Sequence, residues 1–248
     1  FGKLDAGGGT DGYYQNQGMI NAFRAKRQFS AFGIMSNTDK VGLGWRDNDK
    51  FGGGNGVTEI TDAGIMTTYT SGGDDDFGGW GGNYNGEGLP RTWTGGAHYA
   101  DKWNADKNHV TGNYRYALQD VNITGNNIVQ NTLHGDSMNV NDQQKVQSSR
   151  GERHSINAMY ELKIDTNTTV KITANAGFKK TETFSMYNTN ATLSLGSDVF
   201  YKIDSNHREI TNDVTANFIN ADVLLKRKFS KKGRTLSLDL KENYKNSE

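Results

Sequence analysis

A two-residue alternation of apolar and polar side chains is the feature that most limits what this chain can fold into. In "TLSLDL", Leu236, Leu238 and Leu240 alternate with polar residues behind the basic turn "SKKGR". The segments 109–120, 154–165 and 169–178 alternate in the same way. Successive side chains of a β-strand point to opposite faces, so this period predicts strands with one apolar and one polar face. Further strand candidates are residues 1–9, 13–25, 27–38, 92–101 and 184–200. Helical periodicity is hard to find, and we therefore predict an all-β fold.

The connections between these segments differ systematically in length. Short turns are expected near residues 25–27, 101–108, 165–168 and 230–234, and long polar stretches at 39–91, 122–148 and 183–211. Transmembrane β-barrels keep short periplasmic turns at one end and long extracellular loops at the other. A tilted strand of about 9–11 residues also crosses a bilayer. We predict an antiparallel transmembrane β-barrel segment with about nine strands in this chain.

The alternation further predicts which side chains share a face. We expect the apolar faces to contact lipid at six positions: Leu236, Leu238, Leu240, Tyr114, Tyr116 and Leu118. On the other face we expect a polar lumen, with these representatives: Arg115, Glu161, Lys171 and Asp239. The run from Ile219 to Leu225 slips by one residue near Phe218, which a β-bulge would explain. A soluble sheet whose leucines face a protein core is the alternative reading of the same period.

The composition is unusual for a soluble domain of 248 residues. Only 33% of the residues are hydrophobic and mean hydropathy is -0.77, yet 11 Tyr, 11 Phe and 4 Trp argue against disorder. A barrel wall explains this combination, because each strand needs only one apolar face. The net charge of zero gives no sign of nucleic-acid binding. The absence of cysteine excludes a disulfide framework and a Cys-ligated metal site.

Several longer phrases carry a family resemblance. The opening "FGKLDAGGGTDGYYQNQGMINAFRAKRQFSAFGIMSNTDKVGLGW", then "GGGNGVTEITDAGI", "GGAHYADKW" and "KRKFSKKGRTLSLDL", resemble a family of Bacteroidetes-type outer-membrane β-barrel proteins related to TonB-dependent receptors. The resemblance covers nearly the whole chain in order. Its individual phrases are loose and rich in glycine.

This resemblance implies a larger parent protein. Such proteins have an N-terminal regulatory-like domain, a plug domain and a barrel of around 22 strands. Residues 1–248 would then form a partial barrel domain, with the N-terminal domains and the remaining strands absent from this chain. The segment that contacts TonB would lie upstream. The resemblance also implies a location in the bacterial outer membrane.

The long stretch 39–91 is the expected place for contact with cargo or a partner. It combines acidic and aromatic residues in a glycine-rich setting, and loops of this length are usually functional or disordered. The candidate contact residues are Trp45, Asp74, Asp75, Asp76, Phe77, Trp80, Tyr84 and Trp93. Asp74, Asp76 and Glu87 could bind Ca²⁺ through carboxylate oxygens, although their spacing matches no EF-hand. A solvated external loop without metal is the simpler interpretation.

Two patterns that suggest enzyme chemistry have plainer explanations. "GGGTDG" (7–12) fits G-x-G-x-x-G, but a strand pattern follows it where a nucleotide site needs a helix. We predict a hairpin turn at Thr10–Gly12, since glycine accepts positive φ. No serine stands in G-x-S-x-G, and no nucleophile–base pair can be recognised from spacing. We expect no enzyme activity and no cofactor beyond the calcium candidate.

The sequence thus favours an outer-membrane β-barrel receptor or transporter, similar to TonB-dependent receptors. It would bind cargo through extracellular loops and pass it through a polar lumen. One alternative is a barrel that scaffolds a surface assembly without transport. A second is a soluble secreted β protein that binds polysaccharide. The expected partners are outer-membrane lipid, TonB through the absent upstream segment, and a surface lipoprotein, but no nucleic acid.

Overall fold

The structure, a computed structural model, describes residues 1–43, 56–61, 64–69, 86–196, 199–231 and 233–248. In these ranges the chain is all β apart from a 3-10 turn at Thr10–Gly12, and no helix there is long and apolar enough to cross a membrane. The strands are β1 (Gly2–Gly8), β2 (Tyr14–Arg24), β3 (Arg27–Ser36), β4 (Gly56–Thr61), β5 (Gly64–Tyr69), β6 (Leu89–Trp103), β7 (Asn108–Thr132), β8 (Ser137–Lys163), β9 (Thr168–Leu195), β10 (Phe200–Lys228) and β11 (Thr235–Ser247).

Nine of these strands form one antiparallel sheet in the order β1-β2-β3-β6-β7-β8-β9-β10-β11. Strands β4 and β5 form a separate two-stranded hairpin, inserted in the chain between β3 and β6. Within the described residues β1 pairs only with β2 and β11 only with β10, so the sheet is not closed. The prediction of an all-β antiparallel sheet with about nine strands is confirmed.

The short turns lie at one end of the sheet, as predicted, but the opposite end differs from the prediction. The stretches 122–148 and 183–211 were expected to be long loops, and this is wrong, although 184–200 was also a strand candidate. β7 continues to Thr132 before β8 begins at Ser137, and β9 continues to Leu195 before β10 begins at Phe200. These extensions are largely polar and their few apolar residues do not alternate regularly, yet ladder hydrogen bonds join backbone groups whatever the side chains are.

The predicted bulge near Phe218 is also misplaced. Pairing of β10 with β9 and β11 is regular from Ala216 to Lys228, and the one irregularity between β9 and β10 lies between Lys202 and Asp204. Phe218 breaks the apolar alternation because its ring lies on the polar face.

The turn predicted at Thr10–Gly12 is confirmed. Asp11 and Gly12 have positive φ, 60° and 76°. Asn37, just after β3, fixes this turn from the side: its Oδ1 accepts a hydrogen bond from the Tyr14 N–H (2.7 Å), and its Nδ2 donates to the Gly12 carbonyl (3.0 Å). The Asn37 side chain therefore satisfies two backbone groups of the turn at the point where β3 has ended.

A candidate functional site on the polar face

The pairing register divides the sheet into two faces of opposite character. Directly paired residues lie on the same face, so a row can be followed from strand to strand. One such row crosses eight strands and defines the apolar face: Ile20, Ala31, Ala97, Tyr114, Ile156, Ala176, Ile219 and Tyr244. In each strand the residues next in sequence to this row point to the opposite side of the sheet, and they define the polar face.

The apolar face is the more exposed of the two. Ile156 and Ile219 are 49% and 54% exposed, and the three leucines of β11 are about half exposed. The six residues predicted to face lipid all lie on this face, because Tyr116 and Leu118 continue the register of Tyr114, and the leucines pair with residues of β10 on the same side. The structure thus groups them as expected, and lipid contact itself remains a proposal.

From β2 to β9 the polar face is the more shielded of the two, whereas β11 is exposed on both faces. Extensive contacts join only neighbouring strands among the described residues. Nevertheless Gln17, His98 and Arg115 are 1%, 5% and 6% exposed. The chain that follows β3 covers part of this face near β2, β3 and β6, and we infer that the sheet also curves around it, with the polar side chains on the inside of the curve. The four residues predicted to line a lumen all lie on this face: Arg115, Glu161, Lys171 and Asp239.

A row rich in asparagine crosses the middle of the polar face. The register pairs each member with the next, from β2 to β11, in this order: Asn21, Ser30, His98, Asn113, Asn157, Asn175, Asn220 and Asn243. It lies next to the apolar row named above, on the other side of the sheet. The His98 imidazole donates to Asn113 Oδ1 over 2.6 Å. Asn21 Oδ1 and Ser30 Oγ are buried and form no hydrogen bond to described residues.

Two phenylalanine rings of the polar face lie over glycines of the paired strand. A Cβ added at Gly177 would lie 2.3 Å from Phe218 Cε1, and one added at Gly96 would lie 2.7 Å from Phe32 Cε1. Each ring thus occupies the space that a side chain at the paired glycine position would need. Phe218 and Phe32 are held flat against the sheet, and this leaves more room inside the curve.

The chain after β3 folds back across the polar face. Thr94 Oγ1 donates to the Val41 carbonyl over 2.7 Å, and Leu43 is buried in a cluster with three polar-face residues, Met19, Phe32 and Ile34. The first residues of the stretch 39–91, which we expected to be an external loop, therefore narrow the space inside the curve.

The turns at the short end are fixed by polar contacts. Lys26 donates to Asp106 across two neighbouring turns (Nζ–Oδ1 2.5 Å), and this hydrogen bond lowers the Asp106 pKa. In the turn between β8 and β9, the Asn167 N–H donates to Asp165 Oδ1 (2.6 Å) and lowers the Asp165 pKa. Near the same end Trp103 and Tyr160 lie on the apolar face with ring centroids 6.4 Å apart.

Most of the predicted loop contacts fall outside the described residues. These are Trp45, Asp74, Asp75, Asp76, Phe77, Trp80 and Tyr84. Trp93 is described, and its assignment to a loop is wrong: it lies within β6 on the apolar face, paired with Met35 and Leu118. Of the calcium candidates only Glu87 is described, and it accepts a hydrogen bond from Lys145 (3.0 Å). No group of three potential metal ligands occurs among the described residues.

Sequence reasoning missed the asparagine row. A signal for it was present, because each clean alternating segment carries an asparagine at a polar position. Only the register shows that these positions align. The chain matches no protein-family model, and a comparison with curated proteins finds no significant match.

Proposed function

We propose that this chain forms part of the wall of a transmembrane β-barrel in a bacterial outer membrane, and that the barrel binds and passes a polar solute. One observation carries the proposal: from β2 to β9 the sheet exposes its apolar face and shields its polar face. A protein in water buries apolar side chains, because that burial drives folding. The reverse arrangement is favourable where the exposed face contacts lipid and the shielded face lines water.

The height of the apolar band supports this proposal. On β9 the apolar face runs from Val170 to Phe178 and then becomes charged at Lys180. At about 3.3 Å per residue and a tilt of about 40°, these nine residues span roughly 20–25 Å, which agrees with the band of about 25 Å on known barrels.

Aromatic side chains flank the band at both edges, where barrel proteins carry girdles. Trp103 and Tyr160 lie at the turn edge. At the other edge the His154 ring lies between Tyr116 and Phe178, with centroids 5.0 and 6.0 Å away. The two girdles and the band between them fit one bilayer.

The polar face is suited to a solute rather than to a dry interior. The asparagine row lies at mid-height of the apolar band, and amide groups both donate and accept hydrogen bonds. Buried oxygens such as Asn21 Oδ1 and Ser30 Oγ need partners, which water or a passing solute supplies. The narrowing by residues 37–43 would bring such a solute close to the wall. Because open strand edges are not stable in lipid, further strands must pair with β1 and β11.

The resemblance to barrels related to TonB-dependent receptors agrees with this reading. In that class a plug closes the lumen, and energy from TonB opens it. The proposal for this chain concerns the wall alone, which would serve a coupled receptor or a passive channel equally well.

Single-cysteine variants test the proposal directly, because the chain contains no cysteine. Ala176→Cys and Asn175→Cys are adjacent on β9 and lie on opposite faces. Labelled with a small fluorophore and reconstituted in vesicles, the label at 176 should be quenched by lipids brominated on the acyl chain, whereas the label at 175 should be quenched by iodide in the water. Ile219→Cys and Asn220→Cys provide the same comparison on β10.

The soluble alternative predicts a different result. If the apolar face contacts a protein core, neither label is quenched by brominated lipid, and the protein is recovered without detergent. Quenching of both labels by lipid would also contradict the proposal, because the polar face would then have no water beside it.

A scaffold function is favoured by a separate observation at the far end of the sheet. The tips of the β7–β8 and β9–β10 hairpins expose eight large apolar side chains: Ile128, Val129, Leu133, Leu195, Val199, Phe200, Tyr201 and Ile203. The two tips are adjacent, since β8 pairs with β9 up to Ser137 and Leu195. Exposed apolar patches of this kind mark protein contacts. Deleting the tips and measuring co-purification of surface proteins separates scaffold from transport.

A further inference from the structure

One carboxylate interrupts the apolar face. Glu242 of β11 lies on this face, because it pairs with Ala221 of β10, which pairs in turn with Ala174 of β9. Along β11 it stands between Leu240 and Tyr244, which are 59% and 54% exposed on the same face. Glu242 is therefore inside the apolar band, with apolar side chains on both sides of it along the strand.

The Glu242 carboxylate has only apolar neighbours on this face of the strand pair. Ile219, Ala221 and Val223 of β10 lie directly or diagonally opposite it. The adjacent Lys241 points to the polar face, where its Nζ lies 2.9 Å from a carboxylate oxygen of Asp239. Glu242 forms no hydrogen bond or ion pair with any residue that the structure describes. Its charge is thus left without a basic partner on β10 or β11.

A charge in this position is unfavourable in the proposed barrel. Charged side chains on the lipid face of a barrel lower its stability, most strongly at the bilayer midplane. Long basic side chains extend to the interface from within a bilayer, whereas the Glu side chain is shorter. Ionisable residues inside a membrane therefore usually pair with one another. Glu242 needs a basic partner within the band.

Two other carboxylates of the apolar face show where such a partner comes from. Asp101 of β6 accepts a hydrogen bond from Arg27 of the neighbouring strand β3 (2.9 Å). Asp120 of β7 lies 3.8 Å from Arg150, its directly paired residue on β8. In both cases the cation stands on the adjacent strand. One strand adjacent to Glu242 is β10, which has only apolar residues there, so the cation has to come from the open side of β11.

We propose that Glu242 forms an ion pair with a lysine or arginine on the strand that pairs with the open edge of β11. The inference rests on the proposed function, in which that strand continues the barrel wall. Directly paired residues have Cβ atoms about 4.5–5.5 Å apart, so the cation stands opposite Glu242 or one pair away. The ion pair also selects the register of the new strand, since a shift of one residue turns its cation to the polar face.

Isosteric neutralisation tests the ion pair in the complete barrel, isolated from its membrane and reconstituted in vesicles. Glu242→Gln leaves the cation unpaired and should lower the folded-to-unfolded ratio about tenfold or more in urea unfolding. The matched control is Asp239→Asn, which removes the same charge from the same strand but on the polar face. Because exposed ion pairs contribute little, the control should change the ratio about threefold or less.

The direction of the change decides between the alternatives. If Glu242 faced lipid without a partner, Glu242→Gln would remove a charge from hydrocarbon and the folded-to-unfolded ratio would rise. If both carboxylates faced water, the two variants would have equally small effects. Either result overturns the inference. The brominated-lipid measurement at position 176 does not involve Glu242, so failure of the proposed function and failure of the ion pair are distinguished.

Cross-linking identifies the partner strand. Glu242→Cys in the complete barrel is labelled with a photoreactive benzophenone, and the cross-linked peptide is sequenced by mass spectrometry. We expect a strand of the barrel with a lysine or arginine within two residues of the attachment point. A strand without either residue, attachment to lipid alone, or attachment to a separate membrane-spanning protein would each contradict the proposed pair.

Discussion

An arginine scan along the apolar face of β9 tests the membrane reading most directly. Five alternate positions cross the proposed band from the turn end outward: Val170, Ile172, Ala174, Ala176 and Phe178. Each is changed to Arg and compared with Ala at the same position, so that lost packing is subtracted. Asn175→Arg, on the polar face, is the control.

The expected cost follows from depth. One residue of a strand tilted by about 40° advances roughly 2.5 Å along the membrane normal. Ala174 lies at the centre of the band, and Val170 and Phe178 lie roughly 10 Å from it. Arginine costs about 2–4 kcal/mol at a bilayer midplane and about 0–1 near the interface. At Ala174 this equals roughly 30- to 900-fold in the unfolding equilibrium.

The assay is reversible urea unfolding in lipid vesicles, followed by tryptophan fluorescence. The free energy of unfolding should fall most at 174, less at 172 and 176, and least at the two ends. Uniformly small effects at all five positions would mean that the face contacts water, since surface substitutions stay within about 0.5 kcal/mol. A large cost that does not vary with depth would mean burial in protein. Either result refutes the membrane reading.

Three further predictions concern local features. Gly177→Ala forces the Phe218 ring to move and should cost about 1–3 kcal/mol in urea unfolding, whereas Gly177→Ala combined with Phe218→Leu should recover part of this loss. Asn37→Ala removes the acceptor of the Tyr14 N–H and should lower the free energy of unfolding by about 1–3 kcal/mol; an unchanged value would show that water replaces it fully. The Asp165 pKa is held below 3.8 chiefly by a backbone N–H, so its stabilising effect is present above the unfolded-state pKa and is lost as pH falls through the folded-state value. The stability difference from Asp165→Asn should therefore shrink below about pH 4, and a difference constant with pH would contradict this.

The sequence predicted the strands wherever one face was apolar. In β9 the alternation ending at Phe178 placed Ile172 and Ala174 on one side and Lys171 on the other, and the structure agrees. This worked because the side-chain period of a strand is two, and local alternation therefore assigns faces without knowledge of the neighbouring strand.

The extensions of β7 to β10 could not be recognised in the same way. Beyond the apolar band most residues on both faces are polar, as in the pairs Asn127–Gln143 and Thr189–Asn206, so the pattern resembles that of a loop. What keeps these segments extended is pairing with a neighbour distant in sequence. Trp93 was grouped with the loop aromatics although it belongs to the strand candidate 92–101, which lies within β6 in the structure.

The asparagine row needed register, which depends on where each hairpin turns. Two residues paired across a hairpin are related by the position of its turn, and a shift of one residue moves a side chain to the other face. The ends of β7 and β9 and the starts of β8 and β10 came from the structure. The asparagines were thus visible in the sequence as separate polar residues, but not as one row.

The apolar band ends part-way along the long strands, and this explains why the outer halves of these strands carry charged residues on the outer face. From Lys179 to Leu195, β9 continues beyond the band for roughly 40 Å at the same tilt. Such a segment would be unstable in lipid, because Glu182 and Asp213, which are paired on the outer face, would place two charges in hydrocarbon. In water the same two charges cost little. In the proposed barrel the change at Lys180 would therefore set the depth of the whole wall, and a shift of the band outward by even two residues would bring Glu182 to the interface.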